Sequence, residues 1–383
     1  MMNTFNTLSI GGVVIHIGVG SYKKLIADMD ICHKILFVTD QGIISHQLHK
    51  AILSCLDENH LSYVIYDKTL PNPPLCQVNE VLELIAKENC EAILAMGGGS
   101  VIDLAKAAGI LYTNGGELSE YIHSALNPRK FTKTALPLYS IPTSSGTGSE
   151  VTQYAVITDE NTREKITIGS PLLVSKETAL DPFFTLSMPA SVTANSGIDA
   201  LAHALEAYTS DRIINAKGST LISDTLCLEA IRLILNNLPK AYHNGNDREA
   251  RLNMQVASTM AGLITQAGSG AAHGLSHILT SRFDIPHGAA IGALLKNVLE
   301  YNLPVCKDRY EKIARYCGFS NAEGLIDQIT SLLKEINIKP LGAYINEEDI
   351  ETITPIALTD KCTIINARKL NLENISEIYR KSL

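Results

Sequence analysis

The sequence predicts an α/β domain built on a parallel sheet, followed by a second domain that is all-helical. Its 383 residues correspond to about two domains of ordinary size. In the first half, short β-branched runs alternate with amphipathic stretches, whereas in the second half apolar residues recur only at helical spacing. The strand signals stop between residues 181 and 186, so we expect the domains to comprise residues 1–183 and 184–383.

Three strand and helix pairs open the first domain, and this βαβ order implies a parallel sheet. The predicted pairs are 35–39 with 41–57, 62–66 with 76–89, and 92–96 with 100–112. Further strands are expected at 138–141, 151–158 and 172–174. The helices predicted for the second domain span 191–209, 220–237, 247–265, 274–281 and 289–301.

Composition argues against several classes of partner. The 32 basic and 40 acidic residues give a formal net charge of −8, and no Lys/Arg-rich run is present, so we expect no nucleic acid partner. The apolar runs are too short to span a membrane, and residues 1–10 do not resemble a signal peptide, so a cytoplasmic location is expected. The eight cysteines are scattered singly, which is typical of reduced thiols.

Two glycine-containing loops follow predicted strands. The run 97–100 leads into a helix, where free backbone N–H groups can bind a phosphate, although a tight turn also explains the glycines. The run 142–150 adds hydroxyl groups that can donate to a pyrophosphate or a ribose. Together the two loops indicate a nucleotide site.

Two polar residues end neighbouring predicted strands. Asp40 follows the strand 35–39, at the edge where open α/β sheets bind ligands, and its carboxylate can accept from ribose hydroxyls or cap the next helix. Asn72 lies in a proline-rich turn after the next strand, and turn chemistry explains it equally well. Because the acid precedes the glycines by two strands, this is not a simple GxGxxG domain.

The second domain carries candidate metal ligands. Asp199 and His203 are four residues apart on a predicted helix and therefore share one face. His273, His277 and His287 then occur within fifteen residues. Single histidines are usually structural, but this clustering favours a divalent metal bound by one carboxylate and three imidazoles. Such a site provides Lewis-acid chemistry and suits iron(II) or zinc.

At these positions the chain resembles the iron-containing, group III alcohol dehydrogenase family over nearly its whole length. The motifs that carry the resemblance lie at 97–103, 142–150, 181–189, 193–206 and 273–288. The resemblance implies an N-terminal Rossmann-like dinucleotide-binding domain and a C-terminal all-helical metal-binding domain, an arrangement that is dehydroquinate synthase-like. It implies metal ligands at Asp199, His203, His273 and His287, and identifies His277 as the catalytic histidine, lying beside the nicotinamide and the metal.

The resemblance also implies the cofactor-binding positions and a variable substrate pocket. An acid at position 40 repels a 2′-phosphate, so NAD is expected over NADP. Tyr154, Ile264 and Cys362 are expected to border the pocket. The implied NAD-binding residues are Asp40, Asn72, Gly98, Gly99, Ser100, Asp103, Thr143, Thr147 and Lys165.

The expected reaction is reversible hydride transfer between a nicotinamide and a small alcohol, diol or hydroxyacid, with an aldehyde or ketone as the oxidised partner. A homodimer is expected, in which a strand at 13–18 pairs across a two-fold axis. Two departures from the family pattern, 366–368 and 294–296, leave the substrate open. The alternatives are a zinc polyol dehydrogenase or dehydroquinate synthase-like lyase, a metal-dependent hydrolase, and a non-catalytic binding protein.

Overall fold

The chain divides into two compact units. A computed structural model describes residues 6–10, 12–29, 33–122, 128–162, 165–210, 220–265 and 268–383. The first unit comprises Met1–Ser144 and Gly148–Ser187, and the second comprises Ser145–Thr147 and Met188–Leu383. The second unit thus includes three residues from the first half of the chain, which the sequence did not indicate.

The first unit contains a seven-stranded sheet in the order β1-β2-β9-β6-β5-β3-β4. The six strands from β2 to β4 are parallel, and β1 is antiparallel to β2, so the predicted parallel-sheet α/β fold is confirmed. A separate two-stranded antiparallel sheet joins β7 to β8. The strands are β1 Asn6–Ile10, β2 Val13–Ile17, β3 Lys34–Val38, β4 Ser62–Tyr66, β5 Ala92–Gly97, β6 Leu138–Pro142, β7 Tyr154–Thr158, β8 Lys165–Gly169 and β9 Glu177–Leu180.

Helices cover both faces of this sheet. Alternate residues of β3 and β5 enter two separate apolar clusters, one shared with α4 and α5 and the other with α1 and α3. Burial on both faces explains why these strands are almost entirely apolar. The helices of the first unit are α1 Ser21–Ala27, α2 Gln41–Ser45, α3 His49–Glu58, α4 Leu75–Glu88 and α5 Gly99–Asn114.

Three predictions for the first unit are wrong in detail. The helix predicted at 41–57 is broken between α2 and α3, where Gln47 adopts a left-handed φ of 58°. Residues 172–174 do not form a strand, because Pro171–Leu173 is a 3-10 helix capped by the Ser170 hydroxyl. The strand that follows in the chain is β9, which pairs with β2 and β6. The strand predicted at 151–158 begins only at Tyr154.

The described residues of the second unit form helices joined by turns and loops, and no strand occurs among them, which confirms the predicted fold class for this part of the chain. One continuous apolar core joins its helices. The helices are α6 Ala190–Thr209, α7 Leu221–His243, α8 Arg248–Ile264, α9 Ala271–Phe283, α10 His287–Cys317, α11 Ala322–Glu335, α12 Glu347–Leu358, α13 Lys361–Ile364 and α14 Leu372–Ser382.

Strand β2 has neighbours on both edges within the chain. It pairs with β1 on one side and with β9 on the other. The expectation that residues 13–18 pair across a two-fold axis is therefore wrong, because a strand with both edges occupied cannot accept a second copy.

Seven cysteines lie in the described part of the chain, and all seven are free thiols, as expected. Cys32 lies outside the described residues. None of the described helices combines the length and apolarity that crossing a membrane requires.

Candidate active site

The four predicted metal ligands lie on three helices of the second unit. Asp199 and His203 are one turn apart on α6, His273 is in the first turn of α9, and His287 begins α10. Gly288 brings the start of α10 against α6, since a Cβ at that position would lie 1.9 Å from the Asn195 carbonyl oxygen. The close approach that this glycine permits places His287 beside Asp199.

The ligands surround one carboxylate oxygen. Asp199 Oδ1 lies 3.7 Å from His203 Nδ1, 3.4 Å from His273 Nε2 and 3.8 Å from His287 Nε2. The His203 and His273 rings stack with their centroids 4.3 Å apart. The structure thus brings together all four residues that the sequence predicted as ligands.

Three atoms of this cluster are buried without a hydrogen-bond partner in the described structure: Asp199 Oδ1, His203 Nδ1 and His273 Nε2. Their residues form a group whose ligand atoms lie within 4.8 Å of one another. Leaving buried polar atoms unsatisfied is costly, and one divalent cation between them would satisfy all three. A carboxylate with imidazoles is a donor set that suits iron(II) and zinc, so these residues fit such a cation.

The electrostatics of the cluster differ between its histidines. Burial alone would lower the pKa of His273, but Glu206 and Asp199 outweigh burial and raise this pKa to about 10, so a cation bound there must displace a proton from this imidazole. Burial lowers the pKa of His203 to about 4 and that of His287 still further, in spite of the Asp199 charge, so both imidazoles are neutral and their lone pairs are available. Burial alone would raise the pKa of Asp199, but His203 and His273 outweigh it and the pKa is lowered, which keeps the carboxylate ionised.

Glu206 lies beside the cluster and was not singled out from the sequence as a site residue. This buried carboxylate on α6 accepts hydrogen bonds from Gly270 N at 2.9 Å, Ala272 N at 2.6 Å and His273 Nδ1 at 2.6 Å. It therefore caps the start of α9 and turns Nε2 of His273 towards Asp199. Spacing gave a signal, because Glu206 follows Asp199 by two helical turns and shares its face of α6.

His277 lies next to the cluster, one turn after His273 on α9. Its Nδ1 is 2.8 Å from Asp360 Oδ2, and its ring stacks on the His287 ring with the centroids 5.6 Å apart. It belongs to a second group of candidate ligand atoms, with Asp360 and Cys362, in which the atoms lie within 4.8 Å of one another.

In the first unit, the glycine-rich loop joins β5 to α5. Gly98 is the N-cap of α5 and no side chain caps this helix, so its first backbone N–H groups are available to an anion. A Cβ on Gly97 would lie 2.4 Å from the Val101 side chain. Thr143 N donates to Gly97 O at 3.0 Å, so the two predicted loops are adjacent at this point.

Asn72, Ser100 and Lys165 are also brought together. Asn72 N donates to Ser100 Oγ at 3.2 Å, and Lys165 Nζ donates to Asn72 Oδ1. Burial lowers the pKa of Lys165 to about 8, although the nearby Asp103 opposes the shift. Lys165 is thus partly enclosed next to the loop, which its sequence context did not indicate.

Asp40 and Asp103 have partners within the protein. Asp40 lies at the carboxyl end of β3 and accepts from Ile43 N at 3.0 Å, so it caps α2. Asp103 accepts from the Ser149 hydroxyl and from Val156 N. The described contacts of Asp103 tie α5 to the second loop and to β7.

The remaining predicted residues are divided between the two units. Thr147 lies in the segment Ser145–Thr147 of the second unit. Tyr154 is on β7 in the first unit, whereas Ile264 is buried at the end of α8 and Cys362 lies on α13. Burial, assisted by Asp360, raises the pKa of the Cys362 thiol to about 12, so this thiol is protonated at neutral pH.

Comparison with known proteins gives consistent matches along the chain. The family model for iron-containing alcohol dehydrogenase matches residues 13–182, and the C-terminal model of the Fe-containing alcohol dehydrogenase family matches residues 193–383. The chain is 35% identical to choline dehydrogenase of Bacillus subtilis, over 99% of this chain and 96% of that protein. It is 34% identical to NAD-dependent methanol dehydrogenase of Bacillus methanolicus, over 91% and 92%.

The same similarity is found among solved structures. A crystal structure of 1,3-propanediol oxidoreductase superposes with a TM-score of 0.89 at 31% identity, and the match covers both chains completely. A parallel-sheet unit with an uncapped helix start that suits a phosphate, in one chain with a helical unit that carries a candidate metal centre, is typical of a metal- and nicotinamide-dependent oxidoreductase.

The chain belongs to the iron-containing alcohol dehydrogenase family, as the resemblance predicted, and is an NAD(H)-linked, metal-dependent alcohol dehydrogenase. This membership favours the dehydrogenase over the lyase, hydrolase and binding-protein alternatives.

Proposed function

We propose that this chain uses NAD(H) and one divalent metal to interconvert a small alcohol, diol or hydroxyacid with its aldehyde or ketone, and that iron(II) is the metal, with zinc as the second candidate. The observation that carries the proposal is the set of three buried, unpartnered atoms on Asp199, His203 and His273. The similarity to dehydrogenases named for choline, methanol and 1,3-propanediol supports a small alcohol without selecting one.

The metal would be held by Asp199, His203, His273 and His287, and Glu206 would orient His273. When bound, the metal supplies Lewis acidity towards the substrate oxygen, and the nicotinamide accepts or returns the hydride. The low pKa of His203 keeps its imidazole neutral, so no proton competes for the lone pair. These four residues belong to the proposed metal-binding domain, residues 184–383.

The dinucleotide would be bound mainly by residues of the domain 1–183. The uncapped start of α5, at Gly98, Gly99 and Ser100, supports a pyrophosphate site. Asp40, at the end of β3, would accept from ribose hydroxyls and exclude a 2′-phosphate, which favours NAD over NADP. The further proposed positions are Asn72, Asp103, Thr143, Thr147 and Lys165, of which Asp103 would act by holding the loop through Ser149.

His277 is proposed to move the proton. Its Nδ1 is hydrogen-bonded to Asp360, which leaves Nε2 free to accept the proton of the substrate hydroxyl during oxidation. During reduction, Nε2 would donate the proton back to the substrate oxygen. The His277 side chain is 38% exposed, and we propose that this exposure lets the imidazole exchange its proton with solvent. A homodimer and a cytoplasmic location are also part of the proposal, with a dimer contact other than β2.

The test uses protein that has been stripped of metal and reloaded, under anaerobic conditions, with iron(II) or with zinc. Loss of NADH absorbance in the presence of small aldehydes is expected only in reloaded protein, with faster turnover for iron(II). Turnover that does not depend on the metal, or a failure of the protein to bind NADH, contradicts the proposal.

A further inference from the structure

A short segment of the second unit, which we call the α13 clamp and which comprises residues 360–366, packs against α9. At its start, Asp360 serves two partners with one carboxylate. Asp360 Oδ1 accepts from Cys362 N at 2.7 Å and so caps α13, while Oδ2 lies 2.8 Å from His277 Nδ1. The Asp360 side chain therefore makes two contacts: one caps α13, and the other reaches His277, the proposed proton-transfer residue.

The clamp meets α9 because of a glycine. A Cβ on Gly274 would lie 2.2 Å from Thr363 Oγ1 and 2.4 Å from Thr363 N, so only glycine lets the two helices approach this closely. At the other end, Asn366 Oδ1 accepts from Ala271 N at 3.1 Å. These contacts fix the position of Asp360 along α9, directly opposite His277.

The chemistry of the contact determines which nitrogen of His277 carries the proton. An ionised carboxylate can only accept a hydrogen bond, so Nδ1 of the neutral imidazole must be the donor. Nε2 then keeps its lone pair and is the only ring atom able to accept a proton. The ring orientation is fixed by the same bond, since the carboxylate is itself held by Cys362 N.

We propose that Asp360 is a positioning residue that holds His277 in the Nδ1–H tautomer and aims its Nε2 for proton transfer. This inference rests on the proposed role of His277. The competing explanation is that Asp360 matters only as the cap of α13.

Asp360→Ser separates the two explanations. Serine is a good helix cap, but its hydroxyl is too short to reach His277 as well. We expect kcat to fall by about 10–100-fold, as for loss of a partner that orients a catalytic imidazole, while the KM for NADH and the metal content stay unchanged. Asp360→Asn, which keeps the shape but has a single acceptor oxygen, is the second variant if the serine protein is unstable.

The matched control is Asp247→Ser. Asp247 caps α8 through Ala250 N at 3.0 Å, and none of its described hydrogen bonds or ion pairs involves a histidine, so this variant should lose a cap without losing turnover. The tautomer itself is read from the nitrogen chemical shifts of His277 in the zinc-loaded protein. They should show a protonated Nδ1 in the wild type and a mixture of tautomers in Asp360→Ser.

A double-mutant cycle completes the test. In a His277→Ala background, Asp360→Ser should cost no further activity, because its effect runs through the imidazole. If Asp360→Ser costs the same activity in both backgrounds, Asp360 does not act through His277 and the positioning role is overturned. The positioning role is also overturned if Asp360→Ser and Asp360→Asn keep full activity while His277→Ala is impaired. In both cases the proposed proton-transfer role of His277 still stands. Full activity of His277→Ala overturns the proton-transfer role of His277, and the present inference with it, but leaves the metal and NADH dependence of turnover standing.

Discussion

The two units are prepared for their ligands in opposite ways. In the second unit, side-chain atoms of Asp199, His203 and His273 are buried without partners and converge on one point. In the first unit, the proposed cofactor side chains already have protein partners, since Asp40 caps α2 and Asp103 accepts from Ser149 and Val156.

This difference follows from the chemistry of the two ligands. A metal needs several lone pairs at one point, so each ligand residue is indispensable. A dinucleotide is bound largely by backbone N–H groups at a helix start, and single side chains there adjust affinity and selectivity. Substitutions should therefore have their largest effects in the second unit and smaller, more specific effects in the first.

The largest effect is expected for Asp199→Asn. The cluster loses its carboxylate charge and the oxygen that its three histidines surround, so bound metal and turnover should fall by at least about 100-fold, beyond what loss of an orienting partner costs. His243→Ala, a change at an exposed histidine outside the cluster, serves as the control and should retain both. Metal content and kcat are the measurements, and normal metal content in Asp199→Asn contradicts the assigned ligand set.

A somewhat smaller effect is expected for Glu206→Gln. The substitution removes the charge that orients His273 and weakens the cap of α9, so metal affinity should fall by about 10–100-fold. Competition with a chelator measures that affinity without relying on catalysis. Glu335→Gln is the matched control, because Glu335 pairs with the exposed His243. If the two variants bind metal equally well, Glu206 does not orient the ligand.

In the first unit, replacement of Asp40 should change cofactor selectivity more than turnover. Asp40→Gly removes both the charge and the α2 cap, and should raise kcat/KM for NADP relative to NAD. Asp40→Asn separates the two losses, because asparagine removes the charge but still caps helices. Loss of the cap in Asp40→Gly should lower the free energy of unfolding by about 1 kcal/mol. If neither variant changes the ratio of kcat/KM for NADP to kcat/KM for NAD, Asp40 does not contribute to cofactor selectivity.

The smallest effect concerns stability and pH at Lys106, a buried lysine of α5. Its Nζ donates to the carbonyl oxygens of Ser149, Thr152 and Tyr154, and burial lowers its pKa from 10.5 to about 8. The folded state therefore binds fewer protons than the unfolded state between pH 8 and 10.5, so this group adds stability as the pH rises through that window. The expected size is on the order of 1–3 kcal/mol.

Denaturant unfolding of the metal-free protein at several pH values tests this effect. In wild type, the titration of Lys106 should raise the free energy of unfolding between pH 8 and 10.5, and this rise should be absent in Lys106→Met. Lys130→Met, at an exposed position, should follow the wild-type pH dependence. Parallel curves for wild type and Lys106→Met would show that Lys106 does not titrate in this range.

Much of the fold could be predicted from periodicity, and the errors have local physical causes. Strands β3 and β5 are buried on both faces and read as unbroken apolar runs, which made them easy to recognise. The left-handed turn at Gln47 interrupts an otherwise amphipathic stretch and leaves no mark in hydrophobic spacing. Strand β9, with four residues that include the buried Glu177, carries too little apolar pattern to be found.

The same holds for the active site. Helical spacing and clustering were enough to single out Asp199, His203 and the three later histidines as candidate ligands, because one helix supplies the first two and the other histidines lie close in sequence. The resemblance to the family then separated His277 from the proposed ligands. Asp360 follows His277 by 83 residues, and only the tight packing at Gly274 brings them together. No sequence spacing encodes that contact.

In the proposed function, the Asp199 cluster binds one catalytic divalent metal. The most direct measurement is an anaerobic calorimetric titration of metal-free wild type and Asp199→Asn with iron(II), followed by NADH turnover of the same samples. We expect one bound ion per wild-type chain together with recovered activity, and neither bound iron(II) nor activity in Asp199→Asn. Equal binding by both proteins, or full activity of the variant, would contradict it.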